Sequence, residues 1–422
     1  MKTRRWLVVL GALLVQLCLG AIYAWGAFTK ALQDPSGAYA FSATQAQAIF
    51  SAGLATFAIV MILAGRWQDR AGPRKVALAG AVLLGAGYIL AGLLGGTSFW
   101  ALLFFIGIVG GAGIGLGYVC PIAACVKWFP DLKGFVTGLA VAGFGAGAFI
   151  FVKLAGTWGG FIETYGVGGT FTAFGIIFLV SVIVGALLLS NPPAGWKPEG
   201  WAPAASEAAA PKAEEFSQGE SVRTHQFWML WMAFVFSAGS GLMVIGCLKN
   251  FGELVSGLSA ATAASALGML ALFNGLGRIV WGTVSQKLGA RKAIALMTLL
   301  QAIMLAGILK IGMTEAGLVF AACWIGFNFG GNFALFPLAT AESFGTKNLG
   351  ANYGAMFTSY GVGGILMPIL AGRLWDMFGS YNWAFIIAAA ICVVATILAA
   401  TVKPPHHSRA QVFGQPKAQE AS

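Results

Sequence analysis

Apolar runs of about 20 residues recur along almost the whole chain, and they constrain its fold more than any other feature. An α-helix of that length crosses the hydrocarbon core of a bilayer, so each run predicts one membrane-spanning helix. The runs are continuous rather than alternating, which disfavours a β-barrel. Twelve spans are predicted, at residues 6–28, 43–64, 76–96, 98–122, 135–156, 167–190, 227–248, 260–282, 292–312, 315–338, 351–371 and 382–402.

The composition agrees with an all-α membrane protein. Only 9% of the residues are charged, whereas soluble domains carry about 25%. The first span follows Lys2, Arg4 and Arg5 and could pass for a signal peptide. It lacks an obvious small-residue cleavage site and eleven more spans follow it, so we expect it to be retained as the first helix.

The basic residues predict how the chain is oriented in the membrane. With the N-terminus placed inside, most of the 25 lysines and arginines fall in cytoplasmic segments. Those at or near the outer side are Lys30, Lys153, Lys249, Lys310 and Arg373. This bias predicts a multi-pass protein of the cell (inner) membrane with both termini in the cytoplasm. The net charge of +11 therefore reflects topology, and no nucleic-acid partner is expected.

A long polar stretch divides the chain into two halves. Residues 191–226 are rich in Pro, Ala and Glu, a composition that does not form a packed core. We expect an N-terminal six-helix bundle at 1–190, a cytoplasmic linker with some helical structure at 191–226 and a C-terminal six-helix bundle at 227–402. The polar tail at 403–422 is expected to be disordered.

The two halves share an internal repeat. GRWQDRAGPRK (65–75) follows the second span, and GTVSQKLGARK (282–292) follows the eighth. Both have Gly at positions 1 and 8 and Arg-Lys at positions 10 and 11. Because the two copies occupy equivalent places, they indicate a parallel duplication about an axis along the membrane normal.

The first copy of the repeat closely resembles the basic loop between helices 2 and 3 of the major facilitator superfamily, and the resemblance extends to the twelve-span architecture. It implies a cytoplasmic latch in which an Asp and an Arg pair across helices, a role that falls on Asp69, Arg70 and Arg74. The second copy has Gln286 in place of the Asp, which implies a weaker latch. The alternative is that these charges only set the topology.

Arg278 is the one basic residue in the middle of a predicted span. Leaving an arginine in hydrocarbon costs about 3 to 17 kcal/mol, so such a residue faces a cavity or a partner. Asn274 lies four residues earlier, on the same helix face. A guanidinium fork with an adjacent amide suits a carboxylate. The alternatives are permanent binding to helix carbonyls, or extension to the inner interface.

Three further runs resemble the oxalate:formate antiporter family, which is related to the monocarboxylate transporters. They are YVCPIAACVKWFPDLKG (118–134), FNGLGRIVWG (273–282) and GGNFALFPLATAESFGTKNLGANYG (330–354). In that family the arginine matching Arg278 is the substrate-binding cation. The resemblance also raises the expectation that aromatic side chains line a central substrate cavity rather than pack only in the core. These candidates are Tyr23, Tyr118, Phe144, Phe329, Phe333, Phe357 and Tyr360.

One departure from that family indicates the substrate class. Dicarboxylate carriers of the family have a lysine eight residues after the Asn of the Asn-Tyr-Gly run, and counting from Asn352 places Tyr360 there. A site with one fixed positive charge suits a small monocarboxylate such as lactate, pyruvate, formate or acetate. A dianion would leave one charge uncompensated, at a cost of several kcal/mol. An oxalate/formate-type antiporter remains the main alternative.

The coupling ion is less constrained by the sequence. Proton-linked monocarboxylate transporters have an acid four residues before the arginine, where this chain has Asn274. Proton symport would then use another carboxylate or the bound anion itself; anion exchange is the alternative. Glu253, Arg373 and Asp376 could form an outer gate, and Glu342 lies at the inner end of span 10. For the glutamates, loop solvation or pairing competes with these roles.

Other function classes are disfavoured by what the chain contains. The six cysteines lie inside apolar spans without metal spacing, and the GxxxxGK[ST] phosphate loop is absent. We expect a secondary transporter that is not an enzyme and needs no cofactor or metal. It would work as a monomer whose two halves rock about the central site and expose it to each side of the membrane in turn. Its partners would be the bilayer, an organic anion, and a proton or counter-anion. A carboxylate receptor and a membrane enzyme are the rival classes.

Overall fold

A computed structural model of the chain describes residues 2–156, 158–193, 195–201 and 214–406. Within these ranges twelve helices are long and apolar enough to cross a membrane. Each coincides with one predicted span, so the prediction of an all-α, twelve-helix architecture is confirmed. The spans are α1 Arg4–Gln33, α2 Thr44–Ala71, α3 Pro73–Leu94, α4 Phe99–Trp128, α5 Lys133–Ala155, α6 Phe161–Leu188, α7 His225–Leu248, α8 Ala261–Leu288, α9 Ala290–Ile311, α10 Glu315–Phe344, α11 Leu349–Phe378 and α12 Asn382–Thr401.

The two copies of the repeat form the same tight turn. The predicted loop at 65–75 is mostly helical, because α2 continues to Ala71 and α3 begins at Pro73. Gly72 alone makes the turn, with φ 83°, a conformation that favours glycine. Gly289 does the same between α8 and α9 with φ 78°. We call the end of the bundle that carries these two turns and the linker the linker end.

The halves are α1–α6 (the N-half) and α7–α12 (the C-half), and they meet along α2 with α11 and along α5 with α8. At both contacts glycines bring backbones together near the linker end. A Cβ on Gly65 would overlap the carbonyl of Gly350, and one on Gly282 would overlap the carbonyl of Gly134. Small residues at helix contacts are typical of membrane bundles. The glycine-rich run of α4 packs instead on α2 and α3 within its own half.

Three of the spans that border the centre of the bundle depart from regular α-helix geometry. α1 tightens to a 3₁₀-helix over Gly20–Trp25, and α4 contains a π-helix over Leu103–Gly110. α11 is interrupted at Phe357, where a helix over Leu349–Met356 gives way to one over Thr358–Phe378. Distortions of this kind are frequent at functional positions in helices.

The linker differs from its prediction in the part that the structure describes. Residues 214–224 pack against the linker end, and Phe216, Gln218 and Ser221 are buried. A short helix, Gln218–Ser221, begins with a capping box made by Ser217 and Glu220. Residues 202–213, and the tail from 407 onward that was expected to be disordered, lie outside the described residues.

Candidate functional site

Arg278 is buried in α8 where the two halves meet, with 1% of its surface exposed. Its Nη1 donates to the backbone carbonyl of Val141 on α5 at 2.7 Å. Its Nε donates to Oδ1 of Asn274 at 3.2 Å. Both acceptors are neutral, and within the described ranges Arg278 takes part in no ion pair. A buried guanidinium with neutral partners keeps its positive charge available to an anion.

Close packing of α5 on α8 makes the contact with Val141 possible. A Cβ on Gly138 would overlap the backbone carbonyl of Arg278. A Cβ on Gly145 would lie 3.6 Å from the Cα of Gly275 and 4.0 Å from Cζ of Arg278. These two glycines therefore let the N-half backbone reach a side chain of the C-half.

Aromatic rings surround the guanidinium. Cζ of Arg278 lies 4.3 Å from the ring centre of Phe333 and 5.8 Å from that of Phe144. A cation over a ring face is stabilised by the ring quadrupole. Phe333 packs in turn on Phe329, with 5.5 Å between ring centres. The rings would exclude water and limit the space beside the cation.

Two tyrosine pairs cross between the halves near Arg278. The hydroxyl groups of Tyr23 on α1 and Tyr360 on α11 are hydrogen-bonded at 2.5 Å. Tyr118 on α4 and Tyr353 on α11 are also neighbours, and both are almost fully buried. These last two hydroxyls interact with each other, but neither has a hydrogen-bond partner of good geometry among the described residues. A polar ligand atom placed between them would complete their hydrogen bonding.

All nine predicted substrate residues belong to one connected cluster. Ring contacts link Tyr23 and Tyr118 to Phe144, and link Phe357 to Tyr118 and Tyr360. The prediction missed Phe57, whose ring centre lies 5.1 Å from that of Tyr118. It also missed Tyr353, although this residue stands in the Asn-Tyr-Gly run. The role of the Val141 carbonyl as an acceptor for Arg278 cannot be predicted from the sequence, because every residue has a backbone carbonyl.

A buried polar chain holds α8 against its neighbours in the C-half. Nε1 of Trp281 donates to Oδ1 of Asn328 on α10 at 3.2 Å. Nδ2 of Asn328 donates to Oε1 of Gln301 on α9 at 3.2 Å. Since Trp281 lies three residues after Arg278, this chain fixes the helix that carries the cation.

Asp69 joins the two halves at the linker end, but its partners differ from the prediction. The carboxylate of Asp69 accepts hydrogen bonds from the backbone N–H groups of Gly350 at 3.2 Å and Ala351 at 2.7 Å, at the start of α11. Nζ of Lys127 lies 3.8 Å away. A carboxylate is stabilised there by the unpaired N–H groups and the dipole of the helix.

Arg70 and Arg74 do not pair with Asp69, so the expected Asp–Arg pairing is wrong. Arg70 is exposed, and Nε of Arg74 donates to the carbonyl of Leu189 within the N-half. The start of α11 lies within hydrogen-bond distance of Asp69 and supplies two backbone donors. These N–H groups take the place of the expected arginine as partners of the carboxylate.

The remaining gate candidates are dispersed. The carboxylate of Glu342 accepts the backbone N–H of Ala290 at 3.0 Å, and so caps α9 within the C-half. Glu253 lies in a π-helical turn, Phe251–Val255, that follows α7. Arg373 and Asp376 are exposed on α11 at the other end, and neither is in an ion pair with a described residue. Among the described residues, Arg373 and Asp376 therefore do not form the ion pairs of the expected outer gate.

Comparison with known proteins agrees with this architecture. A sequence profile of the Major Facilitator Superfamily matches residues 5–368 and 326–421. The chain is 28% identical over 402 residues to the oxalate:formate antiporter of Oxalobacter formigenes, covering 95% of this chain and 92% of that protein. It is 26% identical over 501 residues to apicoplast pyruvate carrier 1 of Toxoplasma gondii, covering 96% and 90%.

Solved structures show the same fold. The transporter FucP in its outward conformation aligns with a TM-score of 0.67 at 18% identity, over 93% of this chain and 98% of that chain. Twelve spans, the repeated glycine turn and the family profile lead to one conclusion. The chain belongs to the major facilitator superfamily of membrane transporters.

Proposed function

We propose that the protein is a secondary active transporter of small monocarboxylates of the lactate, pyruvate, formate and acetate class. The observation that carries the proposal is the burial of Arg278 between the halves with only neutral partners. Its guanidinium binds the carboxylate, and Asn274 orients it. Tyr23, Tyr118 and Tyr360 contact the second oxygen or the hydroxyl group of the substrate.

The charge of the site supports a monoanion over a dianion. Tyr360 occupies the position at which the resemblance implies a lysine in dicarboxylate carriers, and its hydroxyl bonds another neutral group, Tyr23. One guanidinium neutralises one carboxylate. A second carboxylate would be buried among Phe144, Phe333 and Phe357 without a counter-charge, which costs several kcal/mol.

The partners of Arg278 support proton symport over obligatory exchange. The guanidinium donates to Val141 and Asn274, which are groups of the protein itself. A carrier that solvates the charge of Arg278 with its own groups can reorient without a bound anion and complete a net transport cycle. Because Asn274 does not titrate, we assign the proton to the substrate anion itself or to a carboxylate away from Arg278.

Transport follows the alternating-access scheme in which the halves rock about a central site. The linker end, which we place in the cytoplasm of a cell-membrane protein, is held together by Asp69 and the start of α11. Substrate lowers the barrier by binding best to an intermediate arrangement. Because each chain contains both halves, a monomer is sufficient.

A second candidate is an oxalate/formate-type antiporter. The similarity to the Oxalobacter protein over nearly the whole chain favours it. The two candidates differ in the charge of the cargo and in the need for a counter-substrate. Both use Arg278.

Uptake of labelled L-lactate into proteoliposomes tests the proposal. Wild-type protein is expected to accumulate lactate when an inward proton gradient is imposed, and Arg278→Ala to show none. Arg278→Lys keeps the charge without the fork and should retain only weak uptake. Arg4→Ala, which changes an exposed arginine at the start of α1, serves as the matched control.

The same vesicles separate the two candidates. If lactate enters only when oxalate or formate has been loaded inside, the antiporter assignment replaces symport. Lactate uptake that is equal in Arg278→Ala and wild type would exclude the proposed site.

A further inference from the structure

The docked linker segment (residues 214–224) touches both halves at the linker end. Most of its contacts are with the C-half. The backbone N–H of Phe216 donates to the carbonyl of Phe344 at 3.1 Å. The carboxylate of Glu215 accepts the backbone N–H groups of Thr346 at 3.2 Å and Lys347 at 2.8 Å. The segment therefore moves with α10 and α11.

Gln218 of this segment forms a hydrogen bond to the N-half. Its Nε2 donates to the carbonyl of Ala351 at the start of α11, at 2.9 Å. Its Oε1 accepts a hydrogen bond from Nε of Arg66 on α2. The Gln218 side chain is buried, so its bond to Ala351 is shielded from competing water, whereas its bond to Arg66 is only partly buried.

The backbone of Ala351 is held at both its N–H and its carbonyl by this arrangement. Its N–H donates to Asp69 of the N-half at 2.7 Å, and its carbonyl accepts from Gln218. Arg66 and Asp69 are three residues apart on α2. A separation of α2 from α11 must therefore break the Asp69 contacts and the Arg66–Gln218 bond together.

At the α5–α8 contact the residue that matches Asp69 is Gln286, which packs on Gly134. Nε2 of Gln286 is buried without a partner among the described residues. In the part of the chain that the structure describes, the two contacts between the halves are therefore unequal, and the docked linker segment adds its bond to the contact that already has a carboxylate.

We propose that Gln218 is a second latch residue, supplied by the linker, that stabilises the arrangement in which the linker end is closed. The linker is then part of the gate and not a passive tether. This inference rests on the alternating movement proposed above. Its test below needs neither substrate nor a proton gradient, so failure of the transport proposal can be recognised separately.

Opening of the linker end can be measured with a cysteine at position 285. Ser285 is 4% exposed and faces Gly134 across the α5–α8 contact, away from the proposed latch. The protein carrying Ser285→Cys is treated with a water-soluble thiol reagent, and the background labelling of the native cysteines is subtracted. When opening is fast, the labelling rate reports the population of the open form.

Gln218→Ala is expected to raise the labelling rate on the order of tenfold, the effect of losing a hydrogen bond to a charged group. Gly219→Ala is the matched control. It changes the next residue of the same short helix, its Cβ would meet open space, and it should leave the rate unchanged. Equal rates in Gln218→Ala and Gly219→Ala would overturn the proposal.

Arg66→Ala tests the same bond from the other half, on an exposed side chain whose loss the fold should tolerate. It should raise the labelling rate as Gln218→Ala does, and the double variant should label no faster than either single variant. Independent effects that multiply in the double variant would show that the two residues do not act through one bond, and would also overturn the proposal.

Discussion

The hydroxyl groups of Tyr23 and Tyr360 lie 2.5 Å apart and form a direct hydrogen bond between the two halves of the protein. The bond lies beside the guanidinium of Arg278, because both tyrosines pack on rings that Arg278 contacts. Any movement of α1 away from α11 must break it. The substrate site and the contact between the halves are thus built from the same side chains.

Removing one of these hydroxyls should destabilise the protein, because the other would remain buried without a partner. We expect Tyr23→Phe and Tyr360→Phe each to lower the free energy of unfolding by about 1–3 kcal/mol. The double variant should cost less than the sum of the two, since its pair of rings has no polar group to satisfy. Thermal unfolding in detergent gives the comparison. Additive losses would mean that the bond is not formed in solution.

Tyr360→Lys should change the preferred cargo. It places a second cation in a buried site, which is destabilising when unpaired by about 3–5 kcal/mol. We expect a lowered melting temperature that oxalate restores and lactate does not. Tyr360→Phe is the neutral control and should respond to lactate but not to oxalate. If lactate but not oxalate stabilises Tyr360→Lys, the number of positive charges in the site does not set the charge of the preferred cargo.

Asn274→Asp should weaken binding of the substrate. The introduced carboxylate would pair with Nε of Arg278, which now donates to the amide oxygen. Near neutral pH this carboxylate competes with that of lactate for the guanidinium, so the apparent affinity for lactate should fall below that of the wild type. Asn274→Leu removes the acceptor without adding a negative charge and should lower the affinity less. Equal affinities in Asn274→Asp and wild type would argue against binding of the carboxylate at Arg278.

Asn328→Leu should weaken the position of Arg278 without touching the substrate. It leaves Nε1 of Trp281 and Oε1 of Gln301 buried without their present partner. Each orphaned group costs about 1–3 kcal/mol. We expect a lower melting temperature and a raised KM for lactate, measured on the same preparation. Trp281→Phe in the same background should cost little more, because it removes the orphaned donor. If Asn328→Leu lowers the melting temperature but leaves the KM for lactate unchanged, these hydrogen bonds stabilise the fold without positioning Arg278.

Much of the site could be predicted because intramembrane polar residues are rare. Arg278 and Asn274 stand out in an apolar helix, and helical spacing alone places them on one face. The tyrosine hydroxyls stand out in the same way, as polar groups in apolar helices. Phe57 could not be singled out in this way, because a phenylalanine among apolar neighbours looks the same in a cavity wall as in a core.

The latch shows where sequence reasoning fails. The repeat places Asp69 at the linker end, but its partners are backbone N–H groups of α11, which no side-chain pattern reveals. The composition of the linker predicts no packed structure. Phe216 and Gln218 are nevertheless buried, since the turn between α10 and α11 offers them acceptors and donors.

The sequence by itself determined the number of spans, the repeated turn and the helix that carries the cation. Those properties are local, because about 20 apolar residues must form one helix in lipid and a glycine with positive φ makes the turn. Only the tertiary structure decided which carbonyl holds Arg278, which tyrosines bond across the halves and what Asp69 caps. These contacts join residues more than a hundred positions apart, and their geometry depends on how closely glycines let the helices approach.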